Sequence, residues 1–368
     1  MKWNWQQPEW PDFSYEPKLL ESLEHDFLHG TGLFFGAFRH LDEQERGWLR
    51  VEIIGDEALK TSEIEGEYLN RENLQSSLKR HFGLSADDIR VSAAEEGIAD
   101  LMVDLYNSFE DTLSHETLYR WHRMLTRGRN DLKCVGRYRE DEVAVVSGPL
   151  HRRRIHFQAP PAKRVEREME GFVRWFNRST PGGEAPLSAL TRSGMAHVYF
   201  ESIHPFEDGN GRVGRAVSEK ALAQCLGEPT LIALANVISR NRGAYYGALG
   251  DVNTKNEITQ WLLYFARTVL DGLIYTRTYV EFLIKKSRLF KRLRGKINPR
   301  QEKCLLRMFE EGPEGFTGGL SAENYISITS ATRPTATRDL SDLVAKGALL
   351  RTGERKYTRY YLNIDSGI

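Results

Sequence analysis

The stretch "ESIHPFEDGNGRVGRAV", residues 201–217, decides how the rest of the chain is read. Gly209, Gly211 and Gly214 fit a GxGxxG dinucleotide fingerprint. Asp208, Asn210 and Glu219 fall on ligand positions of a calcium loop. Both readings fail on their surroundings. The fingerprint needs a strand before the glycines and an acidic residue about 20 positions later. Here a helical pattern (Met195, Val198, Tyr199, Ile203) runs into His204-Pro205 instead, and Leu231-Ile232-Ala233-Leu234, after the next helix, carries no such acid. The calcium loop needs glycine at its sixth position, where Val213 stands, and its fifth is Arg212, a cation set among cation ligands.

A third reading uses every polar residue of the run. Gly209 and Gly211 let main-chain N–H groups approach an anion, and they lead into a helix N-terminus whose unpaired donors favour phosphate. Arg212 and Arg215 lie three apart on the first turn of that helix and point the same way, matching two or three phosphates of a nucleotide. Asp208 is placed to hold a Mg²⁺ bridging those phosphates. His204, just upstream, is placed to take a proton from an attacking hydroxyl, and Phe206 between them anchors the loop in the core. Together they point to transfer from a nucleotide to a hydroxyl.

His204-Pro205-Phe206-Glu207-Asp208-Gly209-Asn210-Gly211-Arg212-Val213-Gly214-Arg215 resembles the Fic family motif, HPFx(D/E)GNGRxxR, without departure. The resemblance covers about 135–270 and, more loosely, the whole chain. It implies a protein adenylyltransferase, which moves AMP from ATP to a Ser, Thr or Tyr hydroxyl of a target protein and releases pyrophosphate. By that resemblance His204 is the general base, Asp208 the Mg²⁺ ligand, and Asn210 with the main chain of Gly209 and Gly211 the cradle of the α- and β-phosphates. Arg212 neutralises pyrophosphate charge and Arg215 meets the γ-phosphate, while Phe206, Val213 and Gly214 complete the nucleotide loop. Tyr245, Tyr246 and Asn253 match a family pattern, YYxxLxxxN, that lines the adenine site. Upstream, Thr61-Ser62-Glu63-Ile64-Glu65-Gly66 is similar to the family's inhibitory motif, (S/T)xxxE(G/N). Glu65 would then pair with Arg215 and occupy the place of the γ-phosphate.

The rest of the chain is mainly helical in pattern. Apolar residues recur at helical spacing over about 42–82 (broken at Gly66), 92–109, 114–128, 165–177, 187–203, 242–249 and 259–290. The exception is Val143, Val145 and Val146, a Ser147-Gly148-Pro149 turn, then Ile155 and Phe157, which predicts a β-hairpin. It resembles the family's flap, whose exposed edge holds a target segment near the catalytic histidine. The first residues, rich in Trp and Pro (Trp3, Trp5, Trp10, Pro8, Pro11), predict extended chain packed on the main body. Beyond about 299, three helical pieces and two short strands around Gly353 predict a winged helix-turn-helix. Arg333, Arg338, Lys346, Arg351, Arg355, Lys356 and Arg359 make this part locally basic, so DNA is a candidate partner.

The expected organisation is therefore an N-terminal segment with the inhibitory helix (1–110), a Fic-type helical bundle with an inserted hairpin (111–295) and a winged helix (296–368). A formal net charge of zero excludes a global basic field. Cys134, Cys225 and Cys304 share no metal-type spacing and suit reduced thiols. With no signal-peptide pattern and no long apolar run, the chain is expected in the cytoplasm and away from membranes. Expected partners are ATP, Mg²⁺ and a target protein on the flap, with self-AMPylation and a homodimer left open. Two rival functions stay open as well: a non-enzymatic, nucleotide-sensing DNA-binding regulator, and removal of AMP with Glu65 orienting a water.

Overall fold

The computed structural model describes residues 2–86, 89–147, 154–313, 315–316 and 318–364. Gly148 and Pro149 of the expected hairpin turn lie outside them. The chain divides into two compact units, Met1–Ile274 and Tyr275–Ile368.

Two helices form the centre of the first unit. In α7 (Ala189–Ile203) every residue but Glu201 is buried, so it has no solvent face and is held from all sides. It packs against α8 (Asn210–Leu226), and the connection between them is the His204–Gly209 loop. Buried Arg192 of α7 fastens the pair, donating to the carbonyls of Phe176 and Ala221 and to the Gln224 amide oxygen. Across α8, buried Lys220 donates to the carbonyls of Ser108 (2.7 Å) and Phe109 (3.0 Å). Those residues end α4 (Ala93–Asn107), so the ammonium serves a helix C-terminus, where a cation is favoured.

The N-terminal half of the unit wraps this pair. The Trp/Pro segment is extended apart from short 3-10 turns at Asn4–Gln6 and Pro17–Leu19. It packs on the body as expected. Next comes α1 (Glu21–Arg39), which the periodicity did not predict. Its Glu24 carboxylate accepts from the main-chain N–H groups of Leu190 (3.0 Å) and Thr191 (2.8 Å), capping α7 from a distance. Then α2 (Glu43–Ile64) runs beneath α8, started by an Asp42 capping box, and α3 (Arg71–His81) folds back onto α4. Thus Gly66 does interrupt the long helical stretch. Its φ of 84° is the left-handed conformation that ends the helix. A short helix absent from the sequence reading, α9 (Leu234–Arg240), receives α2: Ala235 N–H donates to Glu57 (2.7 Å) and Asn236 to Asp56 (2.9 Å).

Between α5 (His115–Leu125) and α6 (Ala162–Arg178) lies the hairpin, β1 (Ala144–Ser147) antiparallel to β2 (Arg154–Gln158), with a register shift between Val145 and Val146. Val145, Val146 and Ile155 are exposed on it. Remaining in this unit are α10 (Arg242–Val252) and the first part of α11 (Thr259–Leu293), within which the division falls.

In the second unit, α12 (Pro299–Glu310), α13 (Ala322–Thr329) and α14 (Arg333–Ala345) precede a two-stranded ribbon, β3 (Leu349–Thr352) and β4 (Arg359–Leu362). Buried Asp339 of α14 joins its three helices: its carboxylate accepts from Tyr325 Oη (2.9 Å), Asn298 Nδ2 (3.1 Å) and Arg300 Nε (3.0 Å). Among the described residues, no helix is long and apolar enough to cross a membrane.

Candidate active site

Each polar residue of the central motif has a definite place in the first unit. His204 is the first residue after α7, with a left-handed backbone (φ 51°) that non-glycine residues seldom adopt. Arg139 stabilises that turn. Its guanidinium is 3% exposed and donates to four carbonyls: Pro160 (2.6 Å), His204 (2.8 Å), Asp141 (2.9 Å) and Ile203 (3.4 Å). Its main-chain N–H donates to Pro205 (2.9 Å). Arg139 therefore fixes where the imidazole stands without touching it.

One turn back on α7, a Glu201 carboxylate oxygen lies 3.6 Å from His204 Nδ1. Burial works to raise the Glu201 carboxyl, but the neighbouring His204, His197 and Arg215 outweigh it and hold the group below its ordinary range. The ionised Glu201 thus lies on the Nδ1 side of the ring.

The loop that follows is held by side chains bonding main chain. Asn210 Oδ1 accepts from Phe206 N–H (2.9 Å) and Asn210 Nδ2 donates to Phe206 O (2.9 Å), so the whole amide closes the loop. Phe206 is buried and stacks face to face on His122 at 4.2 Å. His122 Nδ1 accepts from Gly136 N–H (2.9 Å), which leaves Nε2 as donor to the Asp208 carbonyl (3.2 Å). That neutral tautomer agrees with burial lowering the imidazole to about 4.

Asp208 points outward. One carboxylate oxygen receives Arg129 (2.8 Å) and the other the N–H of Gly209 (2.7 Å). Burial would raise this carboxyl, yet Arg129 and Gly209 hold it below its usual range. Gly209, at φ 81°, is the N-cap of α8 and brings no capping side chain. The first-turn N–H groups of α8 are thus left for an outside acceptor.

Val213 is buried in the packing of α8, and Gly214 lies so close to α7 that a Cβ would come within 2.7 Å of Glu201 Oε1. Arg212 and Arg215 are both buried, and each is met by a carboxylate from the segment after α2. Arg215 donates to Glu65 Oε1 (2.8 Å), to Thr61 Oγ1 (2.7 Å) and to Thr61 O (2.9 Å). Arg212 pairs with Glu67. Even so, Arg212 Nε and Arg215 Nη1 remain buried without a hydrogen-bond partner among the described residues. Two guanidiniums short of acceptors mark a site for an anion with more oxygens than two carboxylates supply. Gly211 lies directly under this contact: a Cβ there would meet Glu65 Oε1 at 2.2 Å and Arg215 Nη1 at 3.2 Å. A side chain at 211 would thus crowd the Glu65–Arg215 pair.

The downstream residues are spread more widely. Tyr245 is buried, with its hydroxyl on His197 Nε2 (2.7 Å), while Tyr246 beside it is 48% exposed. Asn253 Nδ2 donates to His156 O of β2 (3.2 Å). The Trp/Pro segment reaches the same strand: Trp5 Nε1 donates to Gln158 O (2.7 Å), and Trp3 sits edge-on to Phe157. Sequence reasoning did not single out Arg139, Glu201, His122, Arg129 or Glu67.

Residues 112–222 match the family described as Fic/DOC, and residues 3–84 match a domain of unknown function, DUF4172. The likeness to the Fic/DOC family covers 111 of the 368 residues. The match starts earlier and ends earlier than the 135–270 region of resemblance, taking in α5 and stopping within α8. A probable protein adenylyltransferase of Aquifex aeolicus is 31% identical over 145 residues, 39% of this chain and 38% of that protein. The protein adenylyltransferase Fic of Nematostella vectensis is 25% identical over 158 residues, 43% of this chain and 32% of that protein. The chain thus spans well under half the length of either relative. Among solved structures, a Fic family protein from Desulfovibrio desulfuricans aligns over 94% of this chain and 97% of its own, with a TM-score of 0.54 at 22% identity. A Fic domain containing signaling protein from Bacteroides thetaiotaomicron aligns over 70% and 94%, with a TM-score of 0.52 at 18% identity. These two establish likeness of fold around the Fic domain.

Proposed function

We propose that the protein is an adenylyltransferase that moves AMP from ATP to a hydroxyl of a target protein and is held off by its own Glu65. The observation that carries this reading is the pair of buried, acceptor-poor arginines at an uncapped helix N-terminus, one loop after a histidine held at a fixed turn.

In this reading the triphosphate lies along the start of α8. The main-chain N–H groups of its first turn receive the α- and β-phosphate oxygens, and Arg212 and Arg215 take the charge beyond them. His204 removes the proton from the target hydroxyl as that oxygen bonds to the α-phosphorus. The α–β phosphoanhydride breaks, and pyrophosphate leaves against the two guanidiniums. Glu201 stabilises the imidazolium formed, and Arg139 keeps the ring in line.

Magnesium commonly uses one or two carboxylates, with phosphates and waters completing its octahedron. Asp208, half exposed at the loop, fits that donor set, with Arg129 giving up or sharing its oxygen. When bound, the ion supplies charge neutralisation between phosphates. No cluster of three or more His, Cys, Asp or Glu able to hold a metal alone occurs among the described residues.

The exposed hairpin is the seat for the target segment, its second strand anchored by Asn253 and Trp5. The contact of Glu65 with Arg215 holds the transferase off, because it fills the place of the terminal phosphate. Incubation with labelled ATP tests both claims: Glu65→Gly should raise AMP incorporation at least about tenfold over the parent, and His204→Ala in that background should abolish it. Equal labelling of the parent and Glu65→Gly would remove the plug from the account. Persistent labelling in His204→Ala would remove the base.

A further inference from the structure

We infer that Glu67 is a second carboxylate plug, acting on Arg212, and that with Glu65 it makes the closed site discriminate nucleotides by their phosphate number. The inference rests on the nucleotide reading above and adds a residue to it.

Glu65 and Glu67 are presented by one turn. The main-chain N–H groups of both donate to a single carbonyl, Ser62 O, at 3.1 and 3.0 Å. Gly66 between them takes the left-handed backbone that this reversal requires. Two carboxylates two residues apart thereby face two guanidiniums three residues apart on the first turn of α8. The arginine side chains are almost sealed, at 6% and 3% exposure, whereas those of Glu67 and Glu65 are at 38% and 28%. The carboxylates sit on the solvent side of the cations, across the route an incoming polyphosphate would take.

The two contacts differ in strength and in target. Arg215 is tied to α2 by Thr61 as well as by Glu65, so removing Glu65 leaves two of its bonds in place. Arg212 has Glu67 as its acceptor and an unsatisfied Nε, so its freedom depends on Glu67. In the reading above, Arg212 is one of the two arginines that receive the leaving pyrophosphate. A nucleoside monophosphate has no group to place there and competes with neither carboxylate. A triphosphate must displace both.

Calorimetric titration of ATP and of AMP into the parent protein, Glu67→Gln, Glu65→Gln and the double variant separates the possibilities. Glu67→Gln should tighten ATP binding roughly three- to tenfold, the range of a partly exposed ion pair released, and leave AMP within about twofold. The double variant should bind ATP more tightly than either single one. Unchanged ATP affinity in Glu67→Gln while Glu65→Gln gains would overturn the second plug and leave the Glu65 account standing. Parallel gains for ATP and AMP would mean that Glu67 only tethers the loop. Failure of all four proteins to bind either nucleotide would overturn the inference together with the nucleotide reading.

Discussion

At the scale of single residues, the site depends on side chains that never meet a substrate. Arg139 is the clearest case: four carbonyls share its guanidinium, and one of them belongs to His204. Arg139→Ala would leave buried carbonyls without donors and free a strained turn, costing about 3 kcal/mol or more of stability. Arg139→Lys keeps the charge but cannot span four acceptors. It should fold, keep ATP affinity and lose transfer rate by about tenfold or more, because the base is no longer in line. A rate equal to the parent's, measured with the Glu65→Gly plug removed, would show that Arg139 does not position His204. Nothing near Arg139 in the sequence announces this, since three of its four carbonyl partners, Pro160, Ile203 and His204, come from other segments. His204, Asp208, Arg212 and Arg215 were legible because their chemistry is packed into one loop and one helical turn. Glu67 was hidden by the chain reversal at Gly66, which a helical pattern does not reveal.

Among elements, the packing of α2 on α8 and α9 matters most to the proposed function, because the end of α2 brings Glu65 and Glu67 to Arg215 and Arg212. Its buried face is acidic. Glu57 is 5% exposed, with Oε2 unpartnered, and burial followed by the charge of Glu219 raises its carboxyl well above the ordinary range. Glu219 on α8 accepts from Thr230 Oγ1 (3.0 Å), and burial raises it from 4.5 to about 7. Carboxyls raised in the folded state bind protons more tightly there than in the unfolded chain. Their contribution to stability is full below about 4.5 and is lost as pH rises toward about 7 and beyond. The melting temperature should therefore fall between those values. Glu219→Gln, which still accepts from Thr230, should flatten the fall and gain about 2–3 kcal/mol at pH 8. An unchanged slope in that variant would show that Glu219 is not the group responsible. Helix α1 escaped the sequence reading for a related reason. Gly30, Gly32 and Gly36 weaken its intrinsic propensity, and it is stabilised by what it packs on, including the cap that Glu24 gives α7. The hairpin was legible from its alternating valines, and α9 was too short to carry a period.

Across the whole molecule, catalytic loop, hairpin, plugs and tryptophan segment all belong to the unit Met1–Ile274. The mainly helical class was readable because so many stretches keep a helical period. The second unit repeats the expected element order of three helices and two strands, pinned by Asp339. The proposed reaction requires the first unit to break the α–β bond of ATP and keep the AMP. Glu65→Gly protein, incubated in parallel with ATP labelled at the α-phosphate and at the γ-phosphate, tests this most directly. Covalent label is expected from the α-position alone, with pyrophosphate released in equal amount. Label retained from the γ-position, or ATP turnover to ADP without any protein label, would contradict it.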